Sequence, residues 1–342
     1  MSEKQRCLSG MRPTGKLHLG HLVGALENWK KLQEEYECFF MVADWHALMS
    51  EYEHPEKIHA STYENVLDWL AFGIDPKRHV LFRQSDVPEH AELFVVLSIL
   101  TPLGWVERVP TYKEQLRELA GRDLTTHGFL GYPILQAADI LLYKAHVVPV
   151  GEDQLPHLEL AREIVRRFHH LYRCTLFPEP KALLTDAPKL LGTDGRKMSK
   201  SYGNTMDLSA SPDDIRRIVQ SMFTDPLRIK MTDPGHPDTC NVCNYWKIFG
   251  SPKEASTAWE ECRTATRGCV QNKRELAERL VTVTEPFRAP RTGGTASRYQ
   301  EVERILQDGA ERARTVARQT LAEVKRVIGL GEKPRSAVGS KQ

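Results

Sequence analysis

Short apolar runs alternate with helix-period patterns through the first half of the chain, and this alternation constrains the fold more than any other feature. Cys38-Phe39-Phe40-Met41-Val42-Ala43 is an apolar run ending at Asp44, the pattern of a buried strand. His79-Val80-Leu81-Phe82 and Val147-Val148-Pro149-Val150 are further strand candidates. Between them, Leu19, Leu22, Val23, Leu26 and Trp29 recur at helical spacing, as do Ile134, Ala137, Ala138, Leu141 and Leu142. The alternation predicts an α/β fold, a Rossmann-type parallel sheet covered by helices, with ligands at the carboxyl ends of the strands. Beyond residue 205 the strand signals fade. Asp213 to Met222, Pro252 to Val270, Gln271 to Val281 and Ser297 to Ile328 read as helices. The last carries Val302, Ile305, Leu306, Ala310, Ala313, Val316, Ala317 and Leu321 on one side. The expected organisation is a sheet domain over 1–204, an α-helical domain over 205–330, and a Gly/Ser/Lys-rich tail over 331–342 expected to be disordered.

Composition narrows the class. At 342 residues and 41% hydrophobic the chain has enough apolar material for about two domains. No apolar run approaches the roughly 20 residues of a membrane span, and Met1 to Arg6 is polar, so a cytoplasmic protein with no membrane partner is expected. A net charge of +2 does not itself predict nucleic-acid binding, so any such site must be a local patch. Seven cysteines without an export signal argue against structural disulfides. Four of them, Cys240, Cys243, Cys262 and Cys269, cluster in sequence.

Two motifs point to a nucleotide. In Ser9-Gly10-Met11-Arg12-Pro13-Thr14-Gly15-Lys16-Leu17-His18-Leu19-Gly20-His21, a strand end, a Pro/Gly turn and a helix start follow one another. Gly20 leaves room for a nucleotide against the backbone, and the helix start offers N–H groups to phosphate. His18 and His21, three apart, share a helix face and could donate to phosphate oxygens. The second motif is Lys197-Met198-Ser199-Lys200-Ser201, after the loop Gly192-Thr193-Asp194-Gly195. Two ammonium groups and two hydroxyls on a glycine-hinged loop suit a mobile phosphate clamp. Either motif alone also reads as an ordinary turn or solvated loop.

Together, the two motifs are the paired signatures of class I aminoacyl-tRNA synthetases. The stretches SGMRPTGKLHLGHLVGALENW, MVADWHALMSEY, ERVPTYKEQ, GYPILQAADILLY, GEDQLPHLELAREIVRRF and DGRKMSKS occur in the order seen in tryptophanyl-tRNA synthetases, which the chain resembles over nearly its whole length. The resemblance implies a Rossmann-type catalytic domain, a helical anticodon-binding domain and a homodimer. It implies ATP with Mg²⁺, L-tryptophan and tRNA(Trp) as partners. It implies catalytic roles for His18, His21, Lys113, Lys197 and Lys200. ATP would also meet Arg12, Pro13, Thr14, Gly20, Gly151, Glu152, Asp153, Leu190, Met198, Ser199 and Ser201.

Tyr132, Gln136 and Asp139 fall at i, i+4 and i+7, a polar stripe on an otherwise apolar helix. Without context this is a solvent face. By resemblance, Asp139 accepts the indole N–H, Tyr132 and Gln136 lie near the substrate amino group, and His46 and Gln154 complete the pocket. Tyrosine enzymes carry a similar stripe, so a tyrosine–tRNA ligase and a non-catalytic synthetase-like regulator are the alternatives. The N-terminal run and VADWHAL favour tryptophan. The chain departs from many bacterial members at Arg12, where they carry glutamine, and at Gln136, where they carry methionine. The cysteines read as C-x2-C and C-x6-C. They are either buried thiols or a metal site. Some tryptophan enzymes hold a [4Fe–4S] cluster here on one early Cys followed by Cys-x6-Cys-x2-Cys. Cys240, Cys262 and Cys269 match its first three members, Asn272 replaces the fourth, and Cys243 is expected to supply the missing thiolate, with zinc as the other occupant.

Overall fold

Five parallel strands run in the order β3-β2-β1-β4-β5, where β1 is Arg6–Met11, β2 Glu37–Val42, β3 Val80–Arg83, β4 Val147–Val150 and β5 Lys181–Leu184. The computed structural model describes residues 4–110, 125–184, 190–291 and 295–330. The strand direction of build-up reverses between β1 and its neighbours β2 and β4. In open α/β sheets a crevice forms at such a switch point. The three strands expected from apolar runs are present within a residue of their expected ends. β5 escaped because it is four residues at the sheet edge, with Leu184 exposed and an apolar run of only Ala182 to Leu184.

Helix α1 occupies residues 19–35 and contains a π-type turn over Leu22–Leu26. It is followed by α2 (Asp44–Glu51), α3 (Pro55–Phe72), α4 (Glu89–Leu100) and α5 (Leu103–Glu107). Then come α6 (His127–Leu142) and α7 (Leu155–Tyr172), which cover the sheet with α1 and α3. Its two faces pack separately: Trp29, Trp69, Phe40 and Val42 lie in one apolar cluster, and Phe39, Phe82, Leu141 and Phe168 in the other. Neighbouring residues of β2 thus point to opposite faces, as the strand period requires.

The rest is helical: α8 (Pro212–Ser221), α9 (Asn241–Phe249), α10 (Pro252–Arg263), α11 (Cys269–Val283), α12 (Glu285–Arg288) and α13 (Thr295–Ile328). The helix expected over Pro252 to Val270 is broken. Thr264, Thr266 and Arg267 turn their N–H groups back to the carbonyls of Glu260 and Glu261, Ala265 takes φ of 59°, and a new helix starts at Cys269. Helix α13 does not stay with the other C-terminal helices. Val302 and Leu306 join one apolar cluster of the sheet, and Ala310, Ala313, Ala317 and Leu321 join the other. Among the described residues, no helix is long and apolar enough to cross a membrane.

Helix α13 crosses β3 so closely that a Cβ on Gly309 would lie 1.7 Å from the Leu81 carbonyl oxygen. The obstacle is backbone on both sides and cannot rotate away. Gly309→Ala should therefore lift α13 from the sheet and destabilise the fold by about 1–3 kcal/mol or more, read from the denaturant midpoint. An unchanged midpoint would show that the helix tolerates a wider spacing.

Candidate active site

A cavity of about 340 Å³ opens at the β1/β4 switch point. Leu8, Ser9 and Gly10 line it from β1, Val148, Pro149 and Val150 from β4, and Tyr132, Gln136, Asp139 and Ile140 from α6. His46, Met49, Phe129, Gly151 and Gln154 close it, and Arg12 lies along its wall. All five residues expected to meet the amino acid therefore converge, with an apolar frame that the sequence reading had not singled out. The stripe on α6 faces inward rather than to solvent.

Asp139 is the floor of the cavity, and it is buried. Its Oδ1 accepts from Gln84 Nε2 at 2.8 Å and from His90 Nδ1 at 2.7 Å, and its Oδ2 accepts from His46 Nε2 at 2.8 Å. Burial alone would raise the carboxyl pKa, but the hydrogen bonds and the two imidazoles outweigh it and hold the group below its usual value. Asp139 is thus a carboxylate that presents an acceptor to whatever fills the cavity. Tyr132 Oη lies 2.8 Å from His157 Nε2. Gln84 and His90 were not expected. The available signal was a polar residue at the end of an apolar strand and a histidine just ahead of the apolar run Leu93 to Leu97.

The N-terminal motif forms a tight cap. Gly20 N–H donates to His18 Nδ1 at 3.1 Å, and His18 N–H donates to His21 Nδ1 at 3.1 Å. Each Nδ1 is an acceptor, so the proton of each neutral ring sits on Nε2. Burial, with the Lys200 ammonium nearby, holds His18 down to about 4; burial, then His18 and Lys200, push His21 well below its usual value. A Cβ on Gly20 would meet the His18 ring at 2.9 Å, so a larger residue there must displace that ring.

The lysine loop folds back over this cap. Lys200 Nζ donates to the Thr14 carbonyl at 3.1 Å, and Met198 lies buried beside Gly20. Residues 206–208 close the joint, with Leu19 N–H bonded to the Met206 carbonyl and Leu208 N–H to the Leu17 carbonyl. Asn204, another residue not foreseen, ties the loop internally: it donates to Asp194 at 2.8 Å and accepts from the Ser199 N–H at 2.8 Å. Helix α9 holds its base, with Asn241 donating to the Gly192 carbonyl and Tyr245 to the Leu191 carbonyl, both at 2.7 Å. Gly195 and Gly203 have φ of 83° and 62°, the left-handed region that glycine enters without strain. Lys197 is exposed, whereas Pro13 and Leu190 are buried beneath the site. Glu152 and Asp153 are exposed just past β4, where a Gly151 Cβ would meet Asp153 Oδ1 at 2.6 Å. Lys113 lies outside the described residues, and only the backbone of Ser201 is described.

The four cysteines meet in one corner of the helical part. The Cys243 thiol contacts those of Cys240 and Cys262, and Arg228 Nη1 approaches the sulfurs of Cys262 and Cys269, each at 4.0 Å. Asn272 Nδ2 lies 3.8 Å from Cys243 Sγ, and its Oδ1 accepts from Trp246 at 2.8 Å. Asn272 and Cys243 thus face each other. Among the described residues, no group of three or more His, Cys, Asp or Glu side chains is placed to hold a metal ion. The expected ligand set is therefore present as a thiol cluster, and its geometry does not by itself make a metal centre.

A 3-2-1-4-5 parallel sheet, a histidine cap at the end of β1 and a lysine loop folded over it define a class I aminoacyl-tRNA synthetase. Tryptophan–tRNA ligases of Thermotoga maritima and Aquifex aeolicus are 51% and 42% identical to the chain; each match covers 95% of it, and 99% and 100% of the relative. The tryptophanyl-tRNA synthetase of Campylobacter jejuni, solved with ADP and tryptophan, superposes with a TM-score of 0.85 at 32% identity, covering 95% of this chain and all of that one. The family of class I tRNA synthetases for W and Y matches residues 1–285, and the chain belongs to it as a tryptophan–tRNA ligase. The tyrosine alternative, which the α6 stripe left open, gives way to these full-length matches.

The cap makes a measurable claim. His18 and His21 should be neutral Nε2–H tautomers at pH 6, where an unfolded histidine is largely protonated. Nitrogen chemical shifts of the two rings would check this, and a charged ring or an Nδ1–H tautomer at that pH would contradict it. Because their folded values lie below the unfolded one, the stability they contribute is complete above about pH 6.5 and declines as the pH falls toward about 4.

Proposed function

We propose the following roles in tryptophan activation. ATP enters as its magnesium complex and lies from the β1 turn to the end of β4, along Arg12, Thr14, Gly20, Gly151 and Asp153. His18 and His21 donate their Nε2–H groups to phosphate oxygens. Being neutral, they donate without holding the product as an ion pair would. Lys197 and Lys200 close on the phosphates from the hinged loop, and Lys113 is assigned there by resemblance. Tryptophan fills the cavity with its indole N–H on Asp139 and its amino group toward Tyr132 and Gln136. Its carboxylate oxygen attacks the α-phosphorus in line, the bond to the bridging oxygen breaks, and pyrophosphate departs with the growing charge. A ribose hydroxyl at the end of tRNA(Trp) then attacks the adenylate carbonyl, and AMP leaves. Positioning and charge stabilisation carry such chemistry.

The observation that supports this reading best is the contact of Lys200 with Thr14 over the histidine cap. Lys200→Ala should slow adenylate formation by roughly 10²–10³ in single-turnover experiments, with little change in the dissociation constant for tryptophan. An unchanged rate would remove Lys200 from the clamp.

The larger-scale proposals are a catalytic unit over 1–204, anticodon recognition by the helices after 205, a homodimer and a cytoplasmic location. The dimer is supported by α4, whose second half leaves the apolar Val95 and Ile99 exposed, with Leu103 just beyond. The cysteine corner carries a separate proposal. Four soft donors beside Arg228 suit a [4Fe–4S] cluster or a zinc ion, which would tie α9 to the start of α11. Metal analysis and visible absorption of anaerobically purified protein should find iron with sulfide, or zinc. Finding neither would assign the four thiols to packing.

A further inference from the structure

We infer that His90 is a positioning residue for tryptophan recognition: held between Tyr143 and Asp139, it fixes the carboxylate that faces the indole. The inference rests on the reading that Asp139 accepts the indole N–H.

The argument is a count of acceptor sites. A carboxylate offers about four. Gln84 and His90 fill both sites of Oδ1, and His46 fills one of Oδ2. One site on Oδ2 is left, which matches the single donor of an indole. The layering agrees. Asp139 and His46 line the cavity, whereas Gln84 and His90 do not. Two donors thus hold the carboxylate from behind, and its remaining acceptor is available in front.

His90 can donate to Asp139 only with a proton on Nδ1. Tyr143 complements that tautomer. Its hydroxyl lies 2.7 Å from His90 Nε2, and its ring stacks on Phe39 at 4.7 Å. Burial, reinforced by the charges of Asp139 and Glu89, keeps Tyr143 a phenol. The Asp139 carboxylate can only accept, which requires the proton on Nδ1, and Nε2 of the neutral ring then accepts from the Tyr143 hydroxyl. The His90 ring is fully buried and stacks on Phe82 at 6.0 Å. Helix α13 indexes both rear donors through their neighbours. Glu89, next to His90, accepts from Arg318 at 3.0 Å, and Arg83, next to Gln84, donates to Glu303 at 2.6 Å.

Pyrophosphate exchange tests this with two amino acids: tryptophan, and 3-benzothienylalanine, in which sulfur replaces the indole N–H. Wild type should prefer tryptophan in kcat/KM. Asp139→Ala, which leaves no acceptor, should abolish that preference. His90→Phe should compress it about tenfold through the KM for tryptophan, with kcat and the KM for ATP near wild type. His90→Asn, which keeps a donor near the Nδ1 position, should restore most of it. A folded His90→Phe protein with undiminished preference overturns the inference. If His90→Phe does not fold, Tyr143→Phe decides. That variant deletes one oxygen and keeps the ring stack, and it should compress the preference about threefold; an unchanged preference again overturns the inference. The underlying reading fails separately, when Asp139→Ala itself keeps the wild-type preference.

Discussion

The buried carboxylate of Asp139 is the constraint around which the catalytic half is organised. Taking such a charge out of water costs several kcal/mol unless donors replace the solvent. The donors come from three places: His46 on α2, Gln84 just past β3, and His90 in the first turn of α4. The sheet order brings those elements to one end of the strands, beside the switch point. Helix α13 then pins the outer edge, through its ion pairs to Arg83 and Glu89 and its close crossing at Gly309. A chain segment that the sequence places far from the cavity thus braces two of the three donors.

The histidine cap follows the opposite electrostatic logic. There the rings are neutral and the neighbouring lysines carry the charge. His18 and His21 are kept uncharged by burial, and backbone N–H groups occupy their Nδ1 atoms. The lysine loop carries positive charge and passes through the left-handed region at Gly195 and Gly203. Asn241 and Tyr245 of α9 hold the Gly192 and Leu191 carbonyls at its base. Helix α9 also carries Cys243 and follows directly on Cys240, so the cysteine corner and the lysine loop share one helix.

Most of this architecture was legible in the sequence because strand and helix periods are local. The Cys38 to Ala43 run and the Leu19 to Trp29 pattern each fix an element from a few neighbours. The α6 stripe was legible for the same reason, since i, i+4 and i+7 place Tyr132, Gln136 and Asp139 on one face. Its direction, inward rather than outward, came from resemblance, because periodicity does not say what covers a face. The rear donors were illegible: Gln84 and His90 lie 55 and 49 residues from Asp139 and share no local pattern with it. The packing of α13 was missed for a related reason. Its apolar stripe was read correctly, but a stripe does not name its partner, and only Gly309 hinted at a close crossing. The break at Ala265 was missed although Thr264, Thr266 and Gly268 weaken the helix signal there, because the pattern from Pro252 was carried past the point where the chain turns back on its own carbonyls.

A crystal structure with tryptophan bound tests the central claim most directly. The account predicts the indole ring in the β1/β4 cavity, with its nitrogen about 2.7–3.0 Å from Asp139 Oδ2 and with Gln84 and His90 still on Oδ1. An indole nitrogen directed to another group, or a carboxylate turned away from the ring, would contradict it.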